Sequence, residues 1–451
     1  MMDGKPPEFS RLTLMCRDHE IAELTWNHDR QAVTGKTHIF DASHAPLMSV
    51  DPHGSITRDR LSTWFKNRSI PDFRPDAVER LRAVGFPSAA SLMASGFGAS
   101  LSDQYWIRPA GSVSTWRDVN CFENDFSEEL GELLLPHDAS SVPSLIEKIR
   151  GDADILASSP DAALNGNLPK RWTIEGGQRV LVKSGRASGR FQEPFNEKIA
   201  SVLCSQLLDE GGYVAYELED GGFMKWASRC KPMTDQATEF VPAYALLCAS
   251  KRPSDLGLYD FYVSTCAAHG LDVRKDVEKM LVIDYLMANF DRHWNNFGVL
   301  IDSESREWLR AAPIFDTGAA LWCDRELAQP FNGYTTPRAG MMRPFARRID
   351  DQVERNCRDL SWLDPSGFKD FSEQACDILL GNPFVANEPG RIDKIRAAID
   401  LRIKALTRHA HEVRHRRDFI VPDMGAAASD AAAKQAERHL CFSKAETRTS
   451  L

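Results

Sequence analysis

Asn289-Phe-Asp-Arg-His-Trp-Asn-Asn-Phe-Gly298, followed after a short span by Pro313-Ile-Phe-Asp-Thr-Gly318, decides how this chain is read. The two segments supply Asp291, then Asn296 five positions on, then Asp316 twenty positions beyond that. Those are the minimum side chains of a phosphoryl-transfer site. One carboxylate orients or deprotonates an attacking hydroxyl, while an amide and a second carboxylate hold the magnesium ions that bridge ATP phosphates. Magnesium takes hard oxygen ligands in near-octahedral geometry, which Asn296 and Asp316 can offer. His293 either buttresses the loop by hydrogen bonding or packs as a satisfied core histidine. The competing reading makes Asp291 and Asn296 plain turn caps. The flanking pattern argues against it: a helix running from Val273 through Leu286, a strand over Phe297–Ile301, a turn at Asp302-Ser-Glu-Ser305, and a second strand over Ala311–Phe315. Three polar groups then meet where the base of a hairpin abuts a helix end.

Upstream, the chain offers a unit that could grip a triphosphate. Leu164-Asn-Gly-Asn-Leu-Pro-Lys-Arg-Trp172 is turn-rich, and Gly166 and Lys170 within it are candidate phosphate contacts. Gln178-Arg-Val-Leu-Val-Lys183 reads as a strand ending on a lysine suited to the α- and β-phosphates. The expected partner of Lys183 is Glu197, on a helix over Gln192–Leu207 with Pro194 in its first turn; Glu193 is the reserve. Tyr213–Leu218 and Phe223–Cys230 read as a hairpin around Glu219-Asp-Gly-Gly222. The adenine is expected along Cys230–Met233, with Cys230 and Met233 as contacts.

The order Asp291-Arg292-His293 inverts the His-Arg-Asp of ordinary protein kinases. It resembles instead the loop of HipA-type toxin kinases and of phosphoinositide kinases. Together with Asn165-Gly-Asn-Leu-Pro-Lys-Arg-Trp172, Lys183, Glu193-Pro-Phe-Asn-Glu197 and Pro313-Ile-Phe-Asp-Thr-Gly318, it resembles the kinase domain of HipA-like proteins, bacterial serine/threonine kinases of which some act in toxin–antitoxin pairs. Leu101-Ser-Asp-Gln-Tyr-Trp-Ile-Arg-Pro109 is similar to the divergent single-chain members from bacteria and phage. The resemblance spans about residues 160–400 and implies an α+β, bilobal kinase fold with a small β-rich lobe, a large helical lobe and an extra N-terminal α/β domain. It further implies ATP and Mg2+ as cofactors, a Ser or Thr of a protein as acceptor, and a separate antitoxin chain as a possible partner. One departure stands out. HipA-like toxins can autophosphorylate a serine in the phosphate loop, but residues 164–172 hold no hydroxyl side chain; Ser158, Ser159, Thr173, Ser184 and Ser188 are the nearest. A lipid or small-molecule kinase using the same site, or a non-catalytic nucleotide-binding module, are the alternatives.

Composition fits a soluble enzyme. A chain of 451 residues suggests two or three domains, and 43% hydrophobic content is enough to build sizeable cores. No apolar run reaches the length of a membrane span, and the polar start Met1-Met-Asp-Gly-Lys is unlike a secretory signal. Ten scattered cysteines without a C-x-x-C pair read as reduced thiols, so a cytoplasmic location is expected. A net charge of −9 argues against direct nucleic-acid binding by the whole chain. The expected divisions are residues 1–117 (N-terminal domain, role open), 118–150 (acidic connection with a helix over Pro143–Arg150), 151–233 (small lobe), 234–424 (large lobe) and 425–451 (frayed helix or disordered tail). In the first, Leu12–Cys16 and Ile21–Trp26 read as paired strands, and Arg58–Asn67 and Pro75–Val84 as helices. Tyr105, Trp106 and Trp116 look exposed, a surface for a macromolecular partner, with core packing as the alternative. Two decoys fall away. Gly35-Lys-Thr37 lacks the first glycine of a P-loop, and His409, His411 and His415 sit in an arginine-rich stripe that suits a solvated helix face better than a metal.

Overall fold

The computed structural model describes residues 8–418, apart from 73, 152–153, 223–224 and 332–343, so the expectation for 425–451 lies outside the described residues. The chain is a mixed α/β fold with antiparallel sheets. Strands β1 (Phe9–Cys16), β2 (His19–Asn27), β3 (Ala32–Ile39) and β4 (Tyr105–Pro109) form the first sheet, in the order β3-β2-β1-β4. Its apolar face (Leu12, Leu14, Leu24, Trp26) packs on the helix Arg58–Arg68, where Trp26 stacks on Phe65 at 4.7 Å. Thr57 caps that helix by accepting from Arg60 N–H at 3.3 Å. The expected strands and the helix Arg58–Asn67 lie within the observed elements, the expected helix Pro75–Val84 overruns the observed Pro75–Ala83 by its last residue, and β3 and β4 are additions. The exposed aromatic surface is not there: Tyr105, Trp106 and Trp116 are 2%, 0% and 5% exposed. Their large apolar area goes into the core, from β4 for Tyr105 and Trp106 and from the short helix Trp116–Val119 for Trp116.

The stretch 118–150 holds the expected helix over Pro143–Arg150, as Val142–Gly151, together with a second, Glu129–Leu134. Its helices Glu129–Leu134 and Val142–Gly151 pack on Pro75–Ala83 and Ala89–Ser95, burying Leu81, Leu92, Leu130, Leu133 and Ile149 in a core of their own.

The second sheet contains β5 (Lys170–Glu175), β6 (Gln178–Ser184), β7 (Glu217–Asp220) and β8 (Trp226–Cys230) in the order β5-β6-β8-β7. Gly176 and Gly177, at φ of +55° and +81°, make the tight turn between β5 and β6. The helix Glu193–Leu207 packs against this sheet, with Phe195 edge-on to Trp226 at 5.3 Å. Past Cys230 the chain enters the third sheet: β9 (Thr238–Pro242), β10 (Gly298–Asp302) and β11 (Trp308–Ala311), in the order β11-β10-β9. Gly298 cannot carry a side chain, since a Cβ there would lie 2.1 Å from Val241 O.

The second hairpin strand was expected over Ala311–Phe315, and the structure corrects this. The strand ends at Ala311, and Ile314 instead makes an isolated parallel bridge to Tyr213. Pro313 has no N–H for a ladder, and the Ile314 backbone bonds Gly212 and Val214 at 2.9 Å each. That detour carries Asp316 towards the helix Glu193–Leu207. The rest is largely helical, with Arg274–Leu286, Phe371–Leu380 and the long Arg391–Asp418 around a core that includes Ile283, Leu286, Val299, Phe371 and Ile399. The nine described cysteines are free, eight of them buried. Among the described residues no helix is long and apolar enough to cross a membrane.

The N-terminal sheet is fastened to the segment after Cys230. Thr234 Oγ1 donates to Leu101 O (2.6 Å), Phe240 N–H to Ser102 O (2.9 Å), and Gln104 Nε2 to the Asp235 and Thr238 carbonyls (2.8 and 2.7 Å).

Candidate active site

A cavity of about 1020 Å3 opens where the three sheets meet. Of the residues singled out in the sequence, Gly166, Lys170, Lys183, Cys230, Met233, Asp291, His293, Asn296 and Asp316 all line it. Glu197 lies behind Lys183. The Lys183 ammonium is 3.1 Å from Asp316 Oδ1, 3.5 Å from Glu197 Oε1 and 3.1 Å from the Tyr216 hydroxyl. Burial works against the Lys183 charge, but Asp316, Tyr216 and Glu197 more than offset it and hold the amine well above its ordinary value. Burial likewise tends to raise Asp316, yet Lys183 and Lys170 keep its carboxyl below the usual range, ionised at any physiological pH. Glu193, the reserve partner, is engaged elsewhere: it accepts from Arg186 N–H and Nε at 3.2 and 3.1 Å.

The loop around Asp291 is held from below by Arg292. This guanidinium donates from Nε and Nη2 to both oxygens of Asp284 (2.9 Å each), from Nη1 to the Asn296 and Phe315 carbonyls (2.7 and 2.6 Å), and from Nη2 to Thr317 Oγ1 (3.2 Å). One buried residue thereby ties the segment bearing Asp291 and Asn296 to the segment bearing Asp316. Asn289 Nδ2 adds a bond to Asp284 Oδ1, and its own Oδ1 accepts from Asp291 N–H. Asn296 Nδ2 donates to Asp291 O at 3.2 Å, which leaves the amide oxygen as the end available to a metal. His293 Nδ1 accepts from Asn295 N–H at 3.2 Å, so the ring buttresses the loop in its neutral form; burial lowers its pKa, opposed by Asp316.

Asp316 itself sits in the left-handed region at φ +56°, a conformation that stores strain unless its surroundings enforce it. They do so on both sides. Thr317 N–H donates to Glu197 Oε2 at 3.0 Å, and Asn196 Nδ2 donates to the Gly318 and Ala320 carbonyls at 2.7 and 2.9 Å. A Cβ on Gly318 would come within 3.1 Å of Glu193 O, so the helix Glu193–Leu207 and this segment touch backbone to backbone.

Cys230 and Met233 lie on the wall beyond Lys183, and burial pushes the Cys230 thiol up to about 11, leaving it unreactive. Gly166 stands at φ +116° in the turn before β5. Sequence reasoning gave no role to Arg292, Tyr216, Asn196 or Asp284. Asp284 did carry a signal, as a lone acid inside the apolar run Leu281–Leu286. A separate trio, His19, Asp41 and His44, gathers three metal-type ligands at the surface, whereas His409–His415 does not. The two histidine rings stack at 4.0 Å and 8°, which sets their lone pairs side by side and not converging.

No protein-family model matches the chain, and no curated protein matches it. Among solved structures it is similar to the Helicobacter pylori proinflammatory kinase CtkA, at 19% identity over 54% of this chain and 93% of that one, with a TM-score of 0.36. A likeness that slight leaves the functional reading to the residues themselves.

Proposed function

We propose that this chain is a kinase of bilobal type that uses ATP and magnesium to phosphorylate a Ser or Thr of a protein. The convergence of Lys183–Glu197–Asp316 with Asp291 and Asn296 on one cavity carries the reading. A scaffold protein has no use for a buried lysine balanced between two carboxylates beside a third acid, Asp291, that lines the same cavity. Asn296 and Asp316 are hard oxygen donors of the right kind for magnesium, which when bound would neutralise phosphate charge. Lys183 steadies the α- and β-phosphates, and Glu197 steadies Lys183. Cys230 and Met233 border the adenine. Asp291 receives the proton of the acceptor hydroxyl as its oxygen bonds the terminal phosphorus and the bond to the ADP oxygen breaks.

Among the hydroxyls near the phosphate loop, Ser159, Thr173 and Ser184 are buried at 2%, 9% and 0% exposure, whereas Ser158 and Ser188 are exposed. Self-phosphorylation near the loop would therefore fall on Ser158 or Ser188 in preference to those three. Incubation with labelled ATP, magnesium and a cell lysate, with mass spectrometry of the labelled species, tests the proposal. Label on protein Ser or Thr, lost in Asp316→Asn, is the expected result. Label confined to lipid or small molecules would replace the acceptor class, and no label at all would remove the enzyme reading.

A further inference from the structure

The stretch Leu101-Ser-Asp-Gln-Tyr-Trp-Ile-Arg-Pro109 handles neither phosphate nor proton, yet it touches both sheets that carry the site. Lys183 stands on β6 of the second sheet, and Asn296 leads into β10 of the third. Between these sheets the chain runs from the end of β8 at Cys230 to the start of β9 at Thr238. Enzymes built in two parts swing about such short connections to close on a ligand. Motion of that kind is the default unless a substantial apolar interface prevents it.

Successive residues of a strand point to opposite faces, and β4 uses this to engage one sheet with each face. Trp106, 0% exposed, shares a core with Leu101, Leu164, Trp172 of β5 and the half-buried Leu181 of β6. Tyr105 turns the other way. Its ring is edge-on to Trp64 at 5.8 Å, and its hydroxyl accepts from Nη2 of Arg306, in the connection between β10 and β11, at 2.9 Å. Arg306 in turn pairs with Glu239 of β9. Just before the strand, the buried Gln104 donates from Nε2 to the Asp235 and Thr238 carbonyls at 2.8 and 2.7 Å. The edge strand β9 is bonded to the same stretch, Phe240 N–H donating to Ser102 O at 2.9 Å. Residues 119–128 hold the second sheet as well: Arg179 donates to the Cys121 and Asn124 carbonyls at 2.9 Å each, and Ile174 N–H to Glu128 Oε1 at 3.0 Å.

We infer that residues 101–107 are a brace that holds the second and third sheets at one fixed angle, with Gln104, Tyr105 and Trp106 as positioning residues for the site. Lys183 is thereby kept at its working distance from the Asp291–Asn296 loop before any ligand arrives, so the site is organised in advance. Nucleotide then enters without a swing of one sheet against the other. The brace rests on contacts within the chain; its use with a nucleotide rests on the kinase reading.

Amide hydrogen exchange of the full chain, read by mass spectrometry, tests this on wild type and Gln104→Met, which fills the space without donating. Without ligand, the variant should exchange at least about 10-fold faster in both 170–184 and 238–242, the scale of two lost hydrogen bonds. The helix Arg274–Leu286 should keep its wild-type rate. Tyr105→Phe, which loses one hydroxyl and keeps the ring, should show the same pattern more weakly and serves if Gln104→Met does not fold. Faster exchange confined to 235–242 is what a purely local bond would give, and it would overturn the brace. With Mg-ATP, wild type should gain protection at 164–169 and none at 238–242. The variant should gain it at both, because the nucleotide then has loosened sheets to draw together. Protection gained at 238–242 by wild type, or by neither protein, would overturn the brace and leave the kinase reading intact. Mg-ATP that alters exchange nowhere, with the ligand-free pattern as expected, would overturn the kinase reading and support the brace.

Discussion

Arg292 and Arg74 are each under a tenth exposed, at 3% and 6%, and the protein treats them in opposite ways. Every one of the five N–H groups of Arg292 has an acceptor, two of them on a carboxylate aligned to its fork. Arg74 has none among the described residues at Nη1. A closed network fixes geometry: it sets where Asp291, Asn296 and Asp316 stand relative to each other. The open one leaves a buried cation that no described residue offsets by pairing. The floor of the cavity is therefore built for position, while Lys170 on its phosphate-loop rim stands without an ion pair among the described residues.

The largest effect should come from breaking the closed side. Arg292→Met leaves Asp284 as a buried charge with no counter-ion, which should cost about 3–5 kcal/mol in urea unfolding, in contrast to the neutral or favourable effect on ligand-free stability expected for Arg74→Met. Next in size is Asp291→Ala. It removes the hydroxyl-orienting carboxylate but touches neither metal ligand, so turnover should fall about 100-fold, or about 2.7 kcal/mol, with Mg-ATP stabilisation retained. Wild-type turnover in that variant would take Asp291 out of the mechanism.

A pH profile sharpens the contrast further. Asp161, which accepts from the β5 backbone at Trp172, has its carboxyl pushed by burial from an ordinary 3.8 to about 7. The native state then holds a proton that the unfolded chain has released. This group's contribution is fully present below about pH 4 and is lost as pH rises towards 7. Asp161→Asn lacks that titration, so its stability relative to wild type should climb across pH 4–7 by on the order of 1–3 kcal/mol and then level off. A flat difference would show that the carboxyl ionises normally. The smallest effect is expected on the outer face of the second sheet. Arg229 pairs with Glu175 and Glu219 there, at 36% exposure, and Arg229→Ala should cost less than about 1 kcal/mol.

Much of this arrangement could be read from sequence because it is local. Asp291 and Asn296 share one loop, Lys183 ends a strand, and Glu197 follows Pro194 by one helical turn; each depends on neighbours a few residues away. What could not be read depends on distant chain meeting in space. Tyr216 reaches Lys183 only once β8 pairs with β6, and Arg292 matters only because Phe315 and Thr317 return beneath it. The misplacement of the strand at Ala311–Phe315 has the same origin: residues 212–214 capture the Ile314 backbone, and no local pattern announces them. Tyr105 and Trp106 looked like a surface because their burial is supplied by β1 and, for Tyr105, by Arg306 in the connection between β10 and β11, 201 residues away.

Lys170 carries one more consequence. With its amine near 7, a sizeable fraction of ligand-free molecules hold it uncharged at neutral pH. An anion settling against it favours the charged form and draws a proton from solution. Ligand binding at this rim is thus also a protonation reaction. Its apparent heat should change with the ionisation enthalpy of the buffer, and its affinity should weaken as the medium turns alkaline. Titration calorimetry in two buffers of equal pH, phosphate excluded, would count that proton directly.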